Sequence, residues 1–422
     1  MEESFFRSKI FLFTAILSVV VLGLFVIVQI VRSTTMSVAV QEESVVPQPA
    51  PAEVAEEPVA ELPQTVRVPL PVEVRGLYWT AVTAATKRGD ELLAYMKETG
   101  LNAIVLDLKM DNGQLVFTPN DATLLPYVMK KPVIEDLDAL LKKLSDQQIY
   151  RIARIPVMRD SAFASLKTTA SLKAGGQLWR DNTGSAWLDP AAPEVAEYAL
   201  ALAREAYARG FDEVQFDYVR FASDGKLKTI SYPVYDRTEL KVDVMRRFFA
   251  AVGGPLRTEG VPVSFDLFGL VCMANDGIGI GQRLEDVVPY ADFVSPMVYP
   301  SHYANGFQGF QNPAVHPYEV IKISLDHGAR LLLPALKATK EKDEVGKEIT
   351  VTPTESEREA WNKEDKTIRK QFRPWIQDFD IGAVYTSAMI EAQIKAVRDA
   401  GGSGFILWNA RNVYEPAKYL PE

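Results

Sequence analysis

Cysteine and histidine are nearly absent from this sequence, and their scarcity removes whole classes of chemistry. The one cysteine is Cys272, and the three histidines are His302, His316 and His327. A single thiol permits neither an internal disulfide framework nor a thiolate metal site. The histidines form no HxH, HExxH or HxxxH pattern, so a metal hydrolase is not expected, and no metal or other cofactor is assigned. Walker and dinucleotide fingerprints are missing, the spacing of Gly277, Gly279 and Gly281 fits neither, and there is no Gly-x-Ser-x-Gly elbow. Basic clusters are missing as well. With 46 basic against 55 acidic residues the net charge is −9, which argues against nucleic acid as a partner.

What is present begins with 22 uncharged residues, Ile10 to Val31. As a helix they would extend about 33 Å, enough to cross a bilayer. Arg7 and Lys9 precede the run and Arg32 follows it. The positive-inside rule then puts residues 1–9 in the cytoplasm and the rest of the chain outside, tethered by a single transmembrane anchor over 10–31. A cleaved signal peptide ending near Ser37, Val38 and Ala39 is the competing reading, but the run exceeds the roughly 7 to 15 apolar residues of such peptides. Residues 32–71 are rich in proline, glutamate, valine and alanine and lack aromatics, the composition of a disordered, solvated linker.

From residue 72 onward, short β-rich runs alternate with amphipathic stretches of helical length, the pattern of βαβ units. Eight runs are expected as strands: 74–79, 103–109, 150–157, 213–221, 262–269, 293–300, 372–378 and 404–409. Helices are expected over 90–99, 134–146, 193–209, 237–252, 317–327 and 388–400. Eight repeats in one segment of this length predict an α/β fold of the (β/α)8 TIM-barrel type over 72–422. Residues 330–336 also read as a strand. Residues 337–370, charged and helical in composition, read as an insertion projecting from the barrel.

Strand parity places the polar residues, because alternate residues of a barrel strand point inward. In EVQFDYVR at 213–220 the apolar set is Val214, Phe216 and Tyr218, so Glu213, Gln215 and Asp217 face the interior. The same alternation turns inward Asp107 with Lys109, then Arg154, Asp266, Tyr299, and Arg373 with Gln377. They lie toward the C-terminal strand ends, where barrel enzymes carry their chemistry. Lys109 is the only inward lysine available for Schiff-base chemistry. Several carboxylates flanked by arginines and aromatics are instead the equipment for glycosidic-bond cleavage, in which one carboxyl protonates the leaving oxygen and another attacks, stabilises the sugar carbon or activates water. Asp217 and Asp266 fall at equivalent depth on adjacent strands and are expected as the catalytic pair, in either the retaining or the inverting arrangement. Salt-bridged struts are the alternative role for these acids, with Lys109, Arg154, Arg220 and Arg373 as partners. Trp79, Tyr299, Tyr303, Trp375 and Trp408 are candidates for stacking on sugar faces.

Seven motifs in order carry a family resemblance: RGLY at 75–78, VLDLK at 105–109, GFDEVQFDYVRF at 210–221, SFDLFG at 264–269, SPMVYPSHY at 295–303, RPWIQDF at 373–379 and ILWN at 406–409. Together they resemble the glycoside-hydrolase domain of bacterial envelope proteins, an alpha-amylase-like TIM barrel, over about residues 74–414. The resemblance implies a sugar hydrolase. The nucleophile that ends the fourth strand of amylase-type barrels maps onto Asp217, whereas their fifth-strand glutamate acid is replaced by Asp266. The expected substrate-binding set is Asp107, Lys109, Arg154, Tyr218, Arg220, Tyr299, His302, Arg373, Gln377, Asp378, Trp408 and Asn409. An extracytoplasmic polysaccharide or oligosaccharide is the expected substrate. A catalytically inactive, glycan-binding barrel of the cell envelope is the rival.

Overall fold

The computed structural model describes residues 66–334, 339–342, 348–351 and 353–421. The expected membrane anchor over 10–31 and most of the expected linker lie outside these residues. Among the described residues no helix is long and apolar enough to cross a membrane.

Eight parallel strands close into a barrel: β1 Val74–Trp79, β2 Ala103–Asp107, β3 Tyr150–Pro156, β4 Glu213–Asp217, β5 Val263–Phe268, β6 Phe293–Met297, β7 Trp375–Gln377 and β8 Gly404–Trp408. Each strand pairs with its neighbours in sequence, and β8 returns to β1, so the expected (β/α)8 topology is what the chain adopts. The seam needs a glycine. At Gly404, with φ at +144°, a Cβ would lie 2.1 Å from the Val74 carbonyl oxygen.

The helices that cover the barrel follow from their apolar spacing and caps. α1 is Lys87–Thr99, α2 Leu137–Asp146, α3 Pro193–Arg209, α4 Lys241–Thr258, α5 the single turn Leu284–Val287, α6 Pro317–Leu332, α7 Glu355–Gln371 and α8 Ser387–Asp399. In α2, Leu137, Leu141 and Leu144 recur on one face and are buried, and the Asp136 carboxylate caps the first turn by accepting from Ala139 N at 2.9 Å. α3 starts with Pro193 in its first turn and ends at Gly210 in the left-handed region. Leu77, Ile104, Leu106, Val214, Phe216 and Phe265 face this helical layer and form the main apolar core with it.

The barrel interior is different. Its apolar part is small and includes Val74, Tyr78, Ala103, Val105, Tyr150, Ile152, Trp375 and Ile406, and the remaining inward positions are polar. Low in the barrel, Arg373 Nη2 donates to Glu213 Oε1, and Tyr150 Oη donates to Glu213 Oε2 at 3.2 Å. One layer higher, Gln215 Nε2 donates to Ser295 Oγ at 3.1 Å. Val68 joins the interior cluster from below, held by Val68 N donating to Asp212 Oδ1 at 2.8 Å. The last residues of the expected linker are therefore part of the barrel. Arg67 and Val68 are drawn in by the carbonyls of Tyr207 and Phe211 and by the Asp212 carboxylate.

Two further expectations change. Residues 330–332 finish α6 and are not a strand. The charged insertion is a two-stranded antiparallel hairpin, Thr339–Lys342 with Glu348–Val351, followed by α7. α7 does not simply project: Ile368 is buried, and Arg369 pairs with Asp326 at 2.6 Å and donates to the Ala400 carbonyl. Thr354 and Glu357 form a capping box at its start.

The Glu213–Arg373 pair is sealed, with neither side chain exposed. Removing one partner strands a charge inside the barrel, so Glu213→Gln or Arg373→Met is expected to cost about 3–5 kcal/mol, whereas Glu213→Leu combined with Arg373→Met recovers most of that loss. Urea unfolding followed by circular dichroism measures both. Single variants as stable as the wild type would show that the pair contributes nothing.

Candidate active site

The polar interior ends at the barrel mouth in a network centred on Arg154. Its Nη1 donates to Asp107 Oδ1, and Nη2 and Nε both donate to Asp217 Oδ2, the latter at 3.0 Å. Asp266 Oδ2 lies 3.9 Å from the same Nε. Strand register explains the convergence. Asp107 is paired with Arg154, and Gln215 with Ser264, so two residues further on Asp217 and Asp266 come abreast.

One guanidinium faces three carboxylates, and the imbalance appears in the acidities of Asp107 and Asp266. Burial raises Asp107 above the usual carboxylate range, opposed by Arg154. Burial, reinforced by the Asp217 charge, pushes Asp266 well above that range. Asp266 Oδ1 accepts from Trp375 Nε1 at 2.7 Å, and Oδ2 has no hydrogen-bond partner. Tyr78 Oη donates to Asp107 Oδ2.

Asp217 faces a cavity of about 590 Å³ at the mouth. Tyr78, Arg154, Tyr218, Arg220, Phe268, Tyr299, His302, Tyr303, Trp375 and Trp408 also line it, together with Asp111 on the loop after β2. Asp107 and Asp266 are not on its surface; Asp266 is 1% exposed. A second depression of about 500 Å³ shares Tyr299, His302, Trp408 and Ala410 with the first and extends to Phe379, Asn409 and Arg411. Trp408 stacks on Tyr78 with centroids 4.2 Å apart, and Trp375 meets both edge-on. His302 is held by Ser301 Oγ at 3.0 Å and packs edge-on to Tyr299, and burial lowers its pKa.

The chain turns sharply after Asp217. Tyr218 has φ of +53°, a strained value for an aromatic residue, and its N–H donates to Asp217 Oδ1 at 2.5 Å. This turn carries Tyr218 to the cavity, although strict alternation would send it outward. Two residues later Arg220 lies among the rings of Trp187, Tyr218 and Phe268, its Cζ 4.8, 5.4 and 4.6 Å from their centroids.

Other expected site residues are placed elsewhere. β2 ends at Asp107, so the alternation does not reach Lys109, whose buried Nζ pairs with Asp160 and donates to the Pro156 carbonyl at 2.7 Å. It is a strut between loops, not a sugar contact. Arg373 is at the barrel floor on Glu213. Gln377 joins two loops, accepting from Ser301 N at 3.2 Å and donating to the Phe379 carbonyl at 2.8 Å. Trp79 faces the helical layer. Asn409 reaches only the second depression, and its Nδ2 donates to the Asp378 carbonyl. Asp378 points away from the cavity and accepts from Glu415 N at 3.2 Å, fastening the C-terminal tail.

Tyr78 and Asp111 were not among the expected site residues. Inward parity on β1 signals Tyr78. Asp111 lies past the end of β2 in the turn that includes Gly113, where no periodicity marks it.

A family described as "Putative glycosyl hydrolase domain" matches the chain over residues 76–342 and 334–414. The two stretches meet at the hairpin. No curated protein matches in sequence. Among solved structures, a hypothetical protein from Ruminiclostridium thermocellum ATCC 27405 is 30% identical, with 45% of this chain and 96% of that one covered and a TM-score of 0.40. The glycoside hydrolase domain of PgaB (BpsB) from Bordetella bronchiseptica is 13% identical, with 80% and 94% covered and a TM-score of 0.51, a likeness of fold. The chitobiase of Flavobacterium johnsoniae is 12% identical, with 82% and 45% covered and a TM-score of 0.46.

Burial raises the Asp378 carboxyl from 3.8 to about 7. A raised folded-state value means that the stability it contributes is complete below the unfolded pKa and is lost as pH rises through about 7. Relative to Asp378→Asn, the wild type should therefore lose stability, on the order of a few kcal/mol, between about pH 4 and about pH 7. Melting curves of both proteins across that interval test this. A constant difference would contradict it.

Proposed function

The chain belongs to this family of glycosyl hydrolase domains, and from that premise we propose that it cleaves O-glycosidic bonds of an extracytoplasmic polysaccharide through two carboxylates at the barrel mouth. The carrying observation is Asp217: a carboxylate on the cavity surface, countercharged by Arg154 through one oxygen and fixed by the Tyr218 N–H through the other. In this reading Asp217 attacks, or stabilises charge at, the sugar carbon. Two adjoining depressions walled by Tyr299 and Trp408 support a ligand longer than one sugar. The extracytoplasmic, membrane-tethered placement rests on the apolar run from Ile10 to Val31.

The acid is reassigned. A general acid must come within hydrogen-bond reach of the leaving oxygen, and Asp266 is sealed behind Trp375. Asp111 is the other carboxyl lining the cavity and takes the acid/base role. Asp266 becomes a positioning residue. Protonated, it leaves Arg154 to Asp217. Once ionised, it puts a second charge beside Asp217 and competes for the same guanidinium.

Three variants separate these roles. Asp217→Asn abolishes release of reducing sugar from every glycan the wild type cuts. Asp111→Asn lowers kcat on natural glycans by about 10²–10⁴-fold, while nitrophenyl glycosides, whose leaving group needs no proton, are largely spared. Asp266→Asn keeps the hydrogen bond of the protonated acid but cannot ionise, so the fall in wild-type activity at alkaline pH should shift upward or disappear. Full activity of Asp217→Asn would overturn the hydrolase mechanism. Retained glycan binding without hydrolysis in the wild type would favour a binding barrel. An Asp266→Asn protein that loses activity on natural glycans at all pH values while nitrophenyl glycosides are spared would return the acid role to Asp266.

A further inference from the structure

Five basic residues are buried among the described residues: Lys109, Arg151, Arg154, Arg220 and Arg373. Four have a carboxylate. Lys109 has Asp160, Arg151 has Asp212, Arg154 has Asp107 and Asp217, and Arg373 has Glu213. Arg220 forms no salt bridge with any described residue, and Asp217 and Asp224 act on it only through space. A buried cation without a counterion is expensive, and this one lines the cavity.

Its hydrogen bonds show which edge is in use. Nη1 donates to the Phe221 carbonyl at 3.1 Å and to Ser223 Oγ at 2.9 Å. Those contacts account for both hydrogens of Nη1. Nε and Nη2 donate to no described residue, and neither is among the sealed, unpartnered polar atoms. The rings of Trp187, Tyr218 and Phe268 hold the plane of the guanidinium. A fixed guanidinium presenting its Nε–Nη2 edge matches a carboxylate, whose two oxygens accept two parallel hydrogen bonds.

We propose that Arg220 is an anion subsite of the cavity and that the glycan recognised there carries a carboxylate, as a uronic acid does. The substrate class rests on the hydrolase reading above, whereas the subsite itself does not. With Asp217 three residues away in sequence and lining the same cavity, the charged sugar binds close to the reacting one. Other oxyanions, such as a phosphate ester, can accept the same two hydrogen bonds, so inorganic phosphate is included among the probes.

The test is equilibrium binding to the full chain by calorimetry, using D-glucuronate, D-galacturonate, their methyl esters and inorganic phosphate as probes. The wild type is expected to bind at least one uronate on the order of ten- to a hundredfold more tightly than its ester. Arg220→Gln should lose that preference. Arg220→Lys, which keeps the charge without the fork, should retain part of it, and unchanged melting curves certify that both variants are folded. No saturable uronate binding, equal binding of acid and ester, or a preference that survives Arg220→Gln overturns the subsite. Phosphate binding more tightly than either uronate overturns the carboxylate assignment. A uronate preference in a wild type that hydrolyses no glycan leaves the subsite standing and removes the hydrolase reading. Hydrolysis of neutral glycans with no acid preference does the reverse.

Discussion

Arg154 is the interaction on which the barrel mouth depends. Carboxylates from β2, β4 and β5 close on one guanidinium contributed by β3. One positive charge cannot compensate three negative ones in a buried site, and burial pushes Asp107 and Asp266 above the usual carboxylate range. The same arrangement orients the aromatic rings. Tyr78 and Trp375 turn their polar tips to Asp107 and Asp266, which leaves Tyr78 stacked on Trp408 and Trp375 at right angles to it. Electrostatics at the floor of the cavity thus set the shape of its wall.

Below the mouth a polar column runs beside the small apolar cluster, from Glu213 and Arg373 through Gln215 and Ser295 to Arg154. Such an interior adds little net stability, since buried pairs roughly offset their own desolvation. The folding drive comes from the other strand face, where Leu77, Leu106, Phe216 and Phe265 meet the helices. The two faces divide the work. The outer face holds the barrel together, which leaves the inner one available for charged groups.

That division explains what was legible in the sequence. Period-two alternation within strands correctly turned Asp217, Arg154 and Asp107 inward, because inside a strand the pleat leaves no other choice. It misled where strands stop. Lys109 lies past the last residue of β2, and its side chain leaves the interior for Asp160. Alternation alone turned Tyr218 outward, although it stood in the expected substrate-binding set, and a positive φ swings it onto the cavity. Asp111 is in a loop where no period applies. The surface of the cavity is built largely from residues just beyond the strand ends, so the fold was easier to read than the site. Burial was the other hidden quantity: parity placed Asp266 inward but not that Trp375 would cover it.

No helix follows β8 among the described residues, and the tail takes its place. Asn412 and Tyr414 both donate to the Tyr78 carbonyl, and Thr80 N donates back to Asn412. The strand that opens the barrel is thereby clamped by residues made more than three hundred positions later. During synthesis, β1 through β7 emerge without the Trp408 wall and without the clamp on Tyr78. A growing chain consequently has most of its polar groups before it has an assembled pocket, whose wall is complete only once β8 and the residues up to Tyr414 have emerged.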